Sequence, residues 1–106
     1  MEAESLHREF ADRAVAHGGG LQLLRAADAI LLVNRAAEAG VPIVAVRGFE
    51  IGHEGTRPST ADAADFSAPV AEGHGCWTEA EAFIRACETE GLVFNLDLGP
   101  DPLNAA

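Results

Sequence analysis

Residues 77–98, WTEAEAFIRACETEGLVFNLDL, decide the fold class because a helical pattern is followed at once by a strand pattern. Thr78 and Glu81 have the spacing of a helix-capping box. From Ala80 to Cys87, apolar residues recur at i, i+3, i+4 and i+7, which indicates one buried helical face. Gly91 stands just past the expected end of this helix. We therefore predict a helix capped by Thr78, with a strand directly after it.

Strand patterns occupy three segments. In residues 92–98, apolar residues alternate strictly with others, which predicts one buried face and one face open to water. Residues 41–52, VPIVAVRGFEIG, are rich in β-branched residues, and Gly48 indicates a bulge or bend. Residues 53–59 have the composition of a turn, so we expect residues 61–70 to return as the second strand of a hairpin.

The N-terminal region predicts two helices separated by a hinge. Leu6, Phe10 and Ala14 have the four-residue spacing of an amphipathic helix over residues 4–17. Gly18–Gly20 ends this helix. A phosphate-binding role for the glycines is not predicted, because the nucleotide-binding loop spacing is missing and the chain has no lysine.

Residues 21–39, LQLLRAADAILLVNRAAEA, form the longest apolar segment and predict one long helix covered on more than one side. Gly40 then supplies the C-terminal cap, and Pro42 prevents continuation. In an alternative interpretation, residues 29–34 form a buried strand and residues 35–39 a helix. That helix would have fewer than two turns, too short to cross over a parallel sheet, so the single helix is preferred.

The expected order is α-α-β-β-α-β in a single domain spanning residues 1–106, with frayed termini at 1–3 and 100–106. We predict a two-layer α+β fold in which the helices pack on one face of a short, mixed sheet of about three strands. An exposed edge strand, or the broad apolar surface of the second helix, would then be available for homodimer formation.

The amino-acid composition argues against several classes of function. The 106 residues carry a formal net charge of -10, with 48% hydrophobic and 23% charged residues, as in folded globular domains. So acidic a surface repels nucleic-acid backbones and anionic membranes. No segment approaches the roughly 20 apolar residues of a membrane span, and the acidic start does not resemble a signal peptide. We therefore expect a cytoplasmic protein with no cofactor, whose two cysteines are thiols.

The acidic residues are unevenly distributed, since most lie beyond residue 49, around the hairpin and on the last helix. Such a surface can attract a basic protein by long-range electrostatics. The alternative is a solvated surface that only confers solubility. The predicted partner-binding residues are Glu50, Glu54, Asp62, Asp65, Glu72, Trp77, Glu81 and Glu88.

The segment GHGCW at residues 73–77 contains the candidate catalytic residues. Cys76 lies before a predicted helix, whose dipole would favour a thiolate, and His74 is close enough in sequence to act as a base. The orienting group and oxyanion site that such catalysis needs are not identifiable. The alternative is a glycine-rich loop whose Trp77 packs the helix start against the core.

Metal binding has weak candidates in His53, His74 and Cys76, with Cys87 as a fourth ligand. Zinc sites usually contain two pairs of closely spaced ligands, and H-x-C supplies one pair at most. We therefore predict no metal site. Cys87 is also needed on the apolar face of its helix.

These observations favour a small acidic, non-enzymatic protein-binding module: an inhibitor, an immunity-type protein or an adaptor that presents an acidic face to a basic partner. The chain is similar in general type, though not in any motif, to immunity proteins and inhibitors that cap basic nucleases. One alternative is a small enzyme or ligand-binding protein that uses the His74/Cys76 loop with His53. Another is a homodimeric structural protein.

Overall fold

The computed structural model describes residues 2–14, 16–18, 21–50, 59–88 and 91–99. It is an α+β fold with an antiparallel sheet and helices packed on that sheet. The helices are α1 (Glu2–Glu9), α2 (Ala26–Ala39), α3 (Ser67–Ala71) and α4 (Trp77–Cys87), with a 3-10 turn at Ala11–Arg13. The strands are β1 (Ala16–Gly18), β2 (Leu21–Arg25), β3 (Ile43–Glu50), β4 (Ser59–Asp65) and β5 (Val93–Leu98).

The five described strands have the order β1-β2-β5-β3-β4, and every neighbouring pair is antiparallel. It follows that β2 and β3, which α2 connects, are parallel to each other with β5 between them. Likewise β4 and β5, connected through α3 and α4, are parallel with β3 between them. The β2–α2–β3 connection therefore crosses β5, and the β4–α3–α4–β5 connection crosses β3. Each of these two crossover units thus contains a strand of the other between its own two strands, so the two units interlock.

One face of the sheet, here called the covered face, carries the main core. Apolar side chains of α1, α2 and α4 pack there against the central strands, which confirms helices on one side of a sheet. The strand residues in this core are Leu24, Ile43, Val46, Phe94 and Leu96; the helix residues include Leu6, Leu32, Val33 and Ile84, and Phe10 joins them from the turn after α1.

The other face, here called the second face, has a smaller apolar cluster of Leu23, Phe49 and Val93. Val93 is 8% exposed and Asn95 is 4% exposed. β5 is thus buried on both sides over much of its length, although its alternation predicted one face open to water.

The N-terminal region departs most from the prediction. The first helix ends at Glu9 rather than continuing to residue 17, and Ala16–Gly18 is an edge strand. Glu2 and Ala3, expected to fray, belong to α1, whereas residues 100–106 lie outside the described part. The predicted long helix is shorter at its start, because Leu21–Arg25 forms β2. The alternative of a strand at residues 29–34 is also wrong, since these residues are helical.

The sheet therefore has five strands rather than about three, and it is antiparallel rather than mixed. The two additional strands are β1 and β2, which pair with each other through Ala16 and Leu23. Pairing between β2 and β5 explains why this segment is extended, because Leu24 lies opposite Phe94 and enters the core. A long-range partner has overridden the local helical preference.

The hairpin of β3 and β4 is confirmed, although β4 ends at Asp65 and α3 follows. The irregularity expected at Gly48 is present as a register shift between Gly48 and Phe49. A side chain could not be added here without movement, because a Cβ on Gly48 would lie 3.0 Å from Leu92 Cδ1.

The predicted capping box is wrong. Helix α4 begins at Trp77, its N-cap residue is Cys76, and no side chain caps it. Thr78 thus lies inside the first turn. Gly91 has a φ of 69°, which agrees with the glycine expected after this helix.

Candidate functional site

The described acidic positions of the β3–β4 hairpin, Asp65 and Glu50, lie at its two ends. Asp65, at the end of β4, pairs with Ala45 near the start of β3, whereas Glu50 ends β3. Five residues of strand separate these positions by roughly 17 Å. Glu54 lies outside the described residues, and Asp62 is described only as the β4 position opposite Gly48.

The remaining acidic positions follow helix α4. Glu72 lies in the loop before it, Glu81 is on the helix, and Glu88 follows its last residue. Glu79, in the first turn, is a further acidic residue of this helix. We call this set, Glu72, Glu79, Glu81 and Glu88, the α4 acidic surface.

Ion pairing distinguishes the α4 acidic surface from the α1–α2 side of the molecule. On the α1–α2 side, Arg35 contacts Glu9 at 2.9 Å and Glu38 at 2.6 Å. Arg13 likewise contacts Asp28 at 2.9 Å. The side-chain hydrogen bond from Arg35 lowers the pKa of Glu9. Glu9, Asp28 and Glu38 are therefore neutralised within the fold.

On the α4 acidic surface, one carboxylate is neutralised: Glu81 contacts Arg85 at 2.8 Å. Within the described part of the chain, Glu72, Glu79 and Glu88 have no ion-pair partner. Outside this surface, Glu50 and Asp12 are also without a partner among the residues that the structure describes. Three neighbouring elements, the loop, the helix and its C-terminal end, thus carry negative charge that the described fold does not compensate.

Trp77, also predicted to bind a partner, has a structural role. Its indole N–H donates to the carbonyl oxygen of Val41 at 2.7 Å, and the ring packs against the main core. Gly75 makes room for this ring, since a Cβ at that position would lie 2.3 Å from the indole. The tryptophan thus holds the start of α4 against the sheet, as the alternative interpretation of the loop suggested.

The described contact between Cys76 and His74 is not that of a nucleophile with its base. The Cys76 sulfur lies 4.0 Å from the carbonyl oxygen of His74, so this contact involves the His74 backbone and not its exposed imidazole. Burial raises the pKa of the Cys76 thiol, and the nearby Glu79 carboxylate raises it further. This direction is opposite to the thiolate expected from the helix dipole.

The metal candidates that the structure describes, His74, Cys76 and Cys87, do not form a ligand group. Among the described residues, no three His, Cys, Asp or Glu side chains are grouped so that they could hold a metal ion. His53 lies outside that part of the chain. Cys76 and Cys87, at opposite ends of α4, are both buried and form no disulfide. No described helix is both long and apolar enough to cross a bilayer.

The apolar surface of α2, expected to be available for dimerisation, is used inside the fold. Ala29, Leu32, Val33 and Ala36 are buried in the main core. Leu31, 40% exposed, is the one large hydrophobic side chain exposed among the described residues.

A feature that the sequence did not predict is a cleft of about 400 Å³ that opens beside β3, β4 and β5. We call it the Arg47 cleft. It combines small apolar residues with four polar or charged side chains. Its lining residues are Val44, Ala45, Arg47, Ala63, Ala64, Asp65, Ser67 and Asp97.

The strand register explains the arrangement of charge in this cleft. Ala45 lies opposite Asp97 of β5 and opposite Asp65 of β4. Because neighbouring strands are about 4.8 Å apart, two carboxylate-bearing positions flank one alanine across about 10 Å. Arg47, two residues further along β3, lies on the same face as Ala45.

A chain of hydrogen bonds fixes one side of the Arg47 cleft. The backbone N–H of Gln22 donates to Asn95 Oδ1 at 3.1 Å, and Asn95 Nδ2 donates to Asp97 Oδ1 at 3.1 Å. The second oxygen of Asp97 accepts from Arg47 Nη2 at 2.8 Å. Both oxygens of Asp97 are therefore occupied, and a buried asparagine anchors the carboxylate that holds the guanidinium.

Asp65 is held on the opposite side. Its Oδ1 accepts from the backbone N–H of Ser67 at 2.8 Å. This bond and the Ser67 hydroxyl lower the pKa of Asp65, with a smaller contribution from the charge of Arg47. The carboxylate is thus ionised at neutral pH.

Comparisons of the chain with protein-family models, with curated proteins and with solved structures find no match.

Proposed function

We propose that this protein is a non-enzymatic binding module that presents the α4 acidic surface to a basic protein, as an inhibitor, an immunity-type protein or an adaptor does. The observation that carries the proposal is the contrast in charge compensation. On the α1–α2 side, Arg13 pairs with Asp28, and Arg35 pairs with Glu9 and Glu38. On the α4 acidic surface, Glu72, Glu79 and Glu88 have no cationic partner among the described residues.

The surface between these acids suits close approach by another protein. Ala82 and Ala86 are exposed and lie one helical turn apart on α4. Their small side chains leave the helix backbone accessible, and the flanking carboxylates supply the attraction. Uncompensated charge of one sign raises the association rate with an oppositely charged partner and makes it dependent on salt.

The α4 acidic surface also accounts for part of the predicted residue set. Glu72, Glu81 and Glu88 were predicted to bind a partner, whereas Glu79 was not in the predicted set. Glu50 and Asp65 lie at opposite ends of the β3–β4 hairpin, and their predicted part in partner binding is not included in this proposal.

The experiment begins with purified basic proteins encoded by genes adjacent to this one, each titrated against the intact chain by calorimetry at low and high salt. We expect one partner to bind with an affinity that falls steeply as salt rises. Glu79→Arg and Glu88→Arg should each weaken binding about tenfold at low salt, because each replaces an attraction by a repulsion.

Asp12→Arg is the matched control, since it makes the same change in net charge at an exposed acid on the 3-10 turn that also lacks an ion-pair partner. It should change the affinity less than threefold, a residual long-range effect. Equal losses for the Asp12 and Glu79 variants would show that only net charge matters, and a salt-independent affinity would exclude the electrostatic mechanism altogether.

A further inference from the structure

The unused hydrogen-bonding capacity of the Arg47 cleft defines what could bind there. Asp97 has both oxygens engaged, by Asn95 and by Arg47. Arg47 uses one nitrogen in this network, so Nε and Nη1 have no partner among the described residues. Asp65 accepts from the backbone N–H and the hydroxyl of Ser67, and its carboxylate has further acceptor sites. One cationic donor group and one anionic acceptor group thus remain available.

We propose that the Arg47 cleft binds a small zwitterion of the amino-acid class, with the ligand carboxylate on Arg47 and the ligand ammonium on Asp65. Asp97 uses one of the five N–H groups of the Arg47 guanidinium, so N–H donors remain for a planar carboxylate. A simple cation would leave the donors of Arg47 unused, and a simple anion would lie beside Asp65 without compensation. This proposal does not depend on a basic protein partner.

The cleft is prepared for such a ligand before it binds. Asp97 is fixed by the 4% exposed Asn95, so the guanidinium is held without the ligand's help. Preorganised groups lose less conformational entropy on binding. The volume of about 400 Å³ lies within the range of small-molecule sites, and Ala45, Ala63 and Ala64 keep it open.

The test is a titration of the intact, isotope-labelled chain followed through its backbone amide NMR signals. The probes are the twenty protein amino acids, used singly, with ethylammonium and acetate as ligands that carry one charge only. We expect at least one amino acid to shift the signals of residues 44–47 and 63–67 saturably. Ethylammonium and acetate should bind at least tenfold more weakly than that amino acid.

Two variants test the assigned contacts. Arg47→Met removes the donors to the ligand carboxylate. Asp65→Asn removes the negative charge while its side-chain oxygen can still accept from Ser67. Each should weaken binding at least tenfold. Arg85→Met breaks a comparable ion pair on α4, outside the cleft, and should leave the affinity unchanged.

Ala45→Leu provides a separate measurement, because it fills the cleft without changing charge and should abolish binding while the chain remains folded. The proposal is overturned if no amino acid gives a saturable shift, if ethylammonium or acetate binds as tightly as the best amino acid, or if Arg47→Met binds normally. Glu79→Arg, which tests the proposed protein contact, should not affect this titration, so the two proposals fail independently.

Discussion

Val93 and Phe94 are neighbours on β5, yet their side chains enter different environments. Phe94 is fully buried in the main core beneath the helices. Val93 belongs to a cluster of three residues on the second face. The same strand continues on the second face with Asn95 and Asp97, which lead into the Arg47 cleft.

The difference between the two faces separates stability from binding. The covered face is a continuous apolar cluster, where burial of side chains supplies the main driving force for folding. On the second face, part of the strand surface carries a polar network that a continuous apolar layer would not accommodate. We therefore expect substitutions on the covered face to change mainly folding, and those on the second face to change mainly the cleft.

The largest expected effect is at Phe94. Phe94→Ala should lower the free energy of unfolding by about 3–5 kcal/mol, because it removes an aromatic ring from a fully buried site. Val93→Ala removes two carbon atoms from the smaller cluster and should cost about 1.5 kcal/mol. Urea unfolding followed by circular dichroism measures both. Equal costs at these adjacent positions would remove the distinction between the faces.

A second test adds volume to each face instead of removing it. Gly48→Ala would place a Cβ 3.0 Å from Leu92 Cδ1 and 3.3 Å from Phe94 Cε1. Overpacking of this kind costs about 1–3 kcal/mol. Ala45→Val extends into the Arg47 cleft, where there is room, and should change stability by less than about 0.5 kcal/mol. A larger loss for the Ala45 variant, seen in thermal unfolding, would contradict this picture.

On the second face, substitutions in the hydrogen-bond network of Asn95, Asp97 and Arg47 should lower the free energy of unfolding. Asn95→Leu leaves the backbone N–H of Gln22 without its acceptor, and we expect a loss of about 1–3 kcal/mol. Arg47→Met, which breaks an exposed ion pair, should cost about 1 kcal/mol or less. If the order of these two losses in urea unfolding is reversed, the network is anchored by Arg47 and not by Asn95.

The smallest effect is a pH dependence that involves both faces. Burial lowers the pKa of His7 on α1, and the charge of Asp97 on β5 partly opposes this. The unfolded chain then binds this proton more readily than the folded chain, so stability falls as pH decreases below about 6.5 toward the folded pKa. His7→Gln should remove that part of the dependence. Parallel stability curves for the two proteins between about pH 7 and pH 5 would contradict it.

Asp97→Asn should strengthen the same dependence, because it removes the charge that raises the pKa of His7. The pKa of His7 itself can be followed by its imidazole NMR signals. A rise of that pKa in the Asp97 variant would exclude the assigned coupling.

The second half of the chain was more predictable than the first, for a physical reason. The helix α4 and the hairpin of β3 and β4 are built from local patterns, and both were predicted. In β2, Leu23 enters the small cluster and Leu24 the main core. A strand that is buried on both faces loses its alternation, so residues 21–25 resembled the start of the apolar helix that follows.

The two candidate sites, the α4 acidic surface and the Arg47 cleft, also differ in how far the sequence could predict them. The acidic residues of α4 are close in sequence, so their concentration was visible from the composition. The Arg47 cleft takes Asp65 from β4 and Asp97 from β5, on either side of Ala45. This juxtaposition depends on the strand order β5-β3-β4, which no local pattern specifies. The neutralisation of Glu9 and Asp28 by distant arginines was hidden for the same reason.

The position of β5 has a consequence for how the protein is made. It is the last described strand in the sequence, yet it lies between β2 and β3 at the centre of the sheet. During synthesis, the β1–β2 and β3–β4 hairpins can form, but they have no shared neighbour until residues 93–98 have left the ribosome. Folding of the sheet should therefore be completed in a single late step, once β5 is available. A fragment lacking this strand would be a natural acceptor for the corresponding peptide, which makes the protein suited to split-fragment complementation.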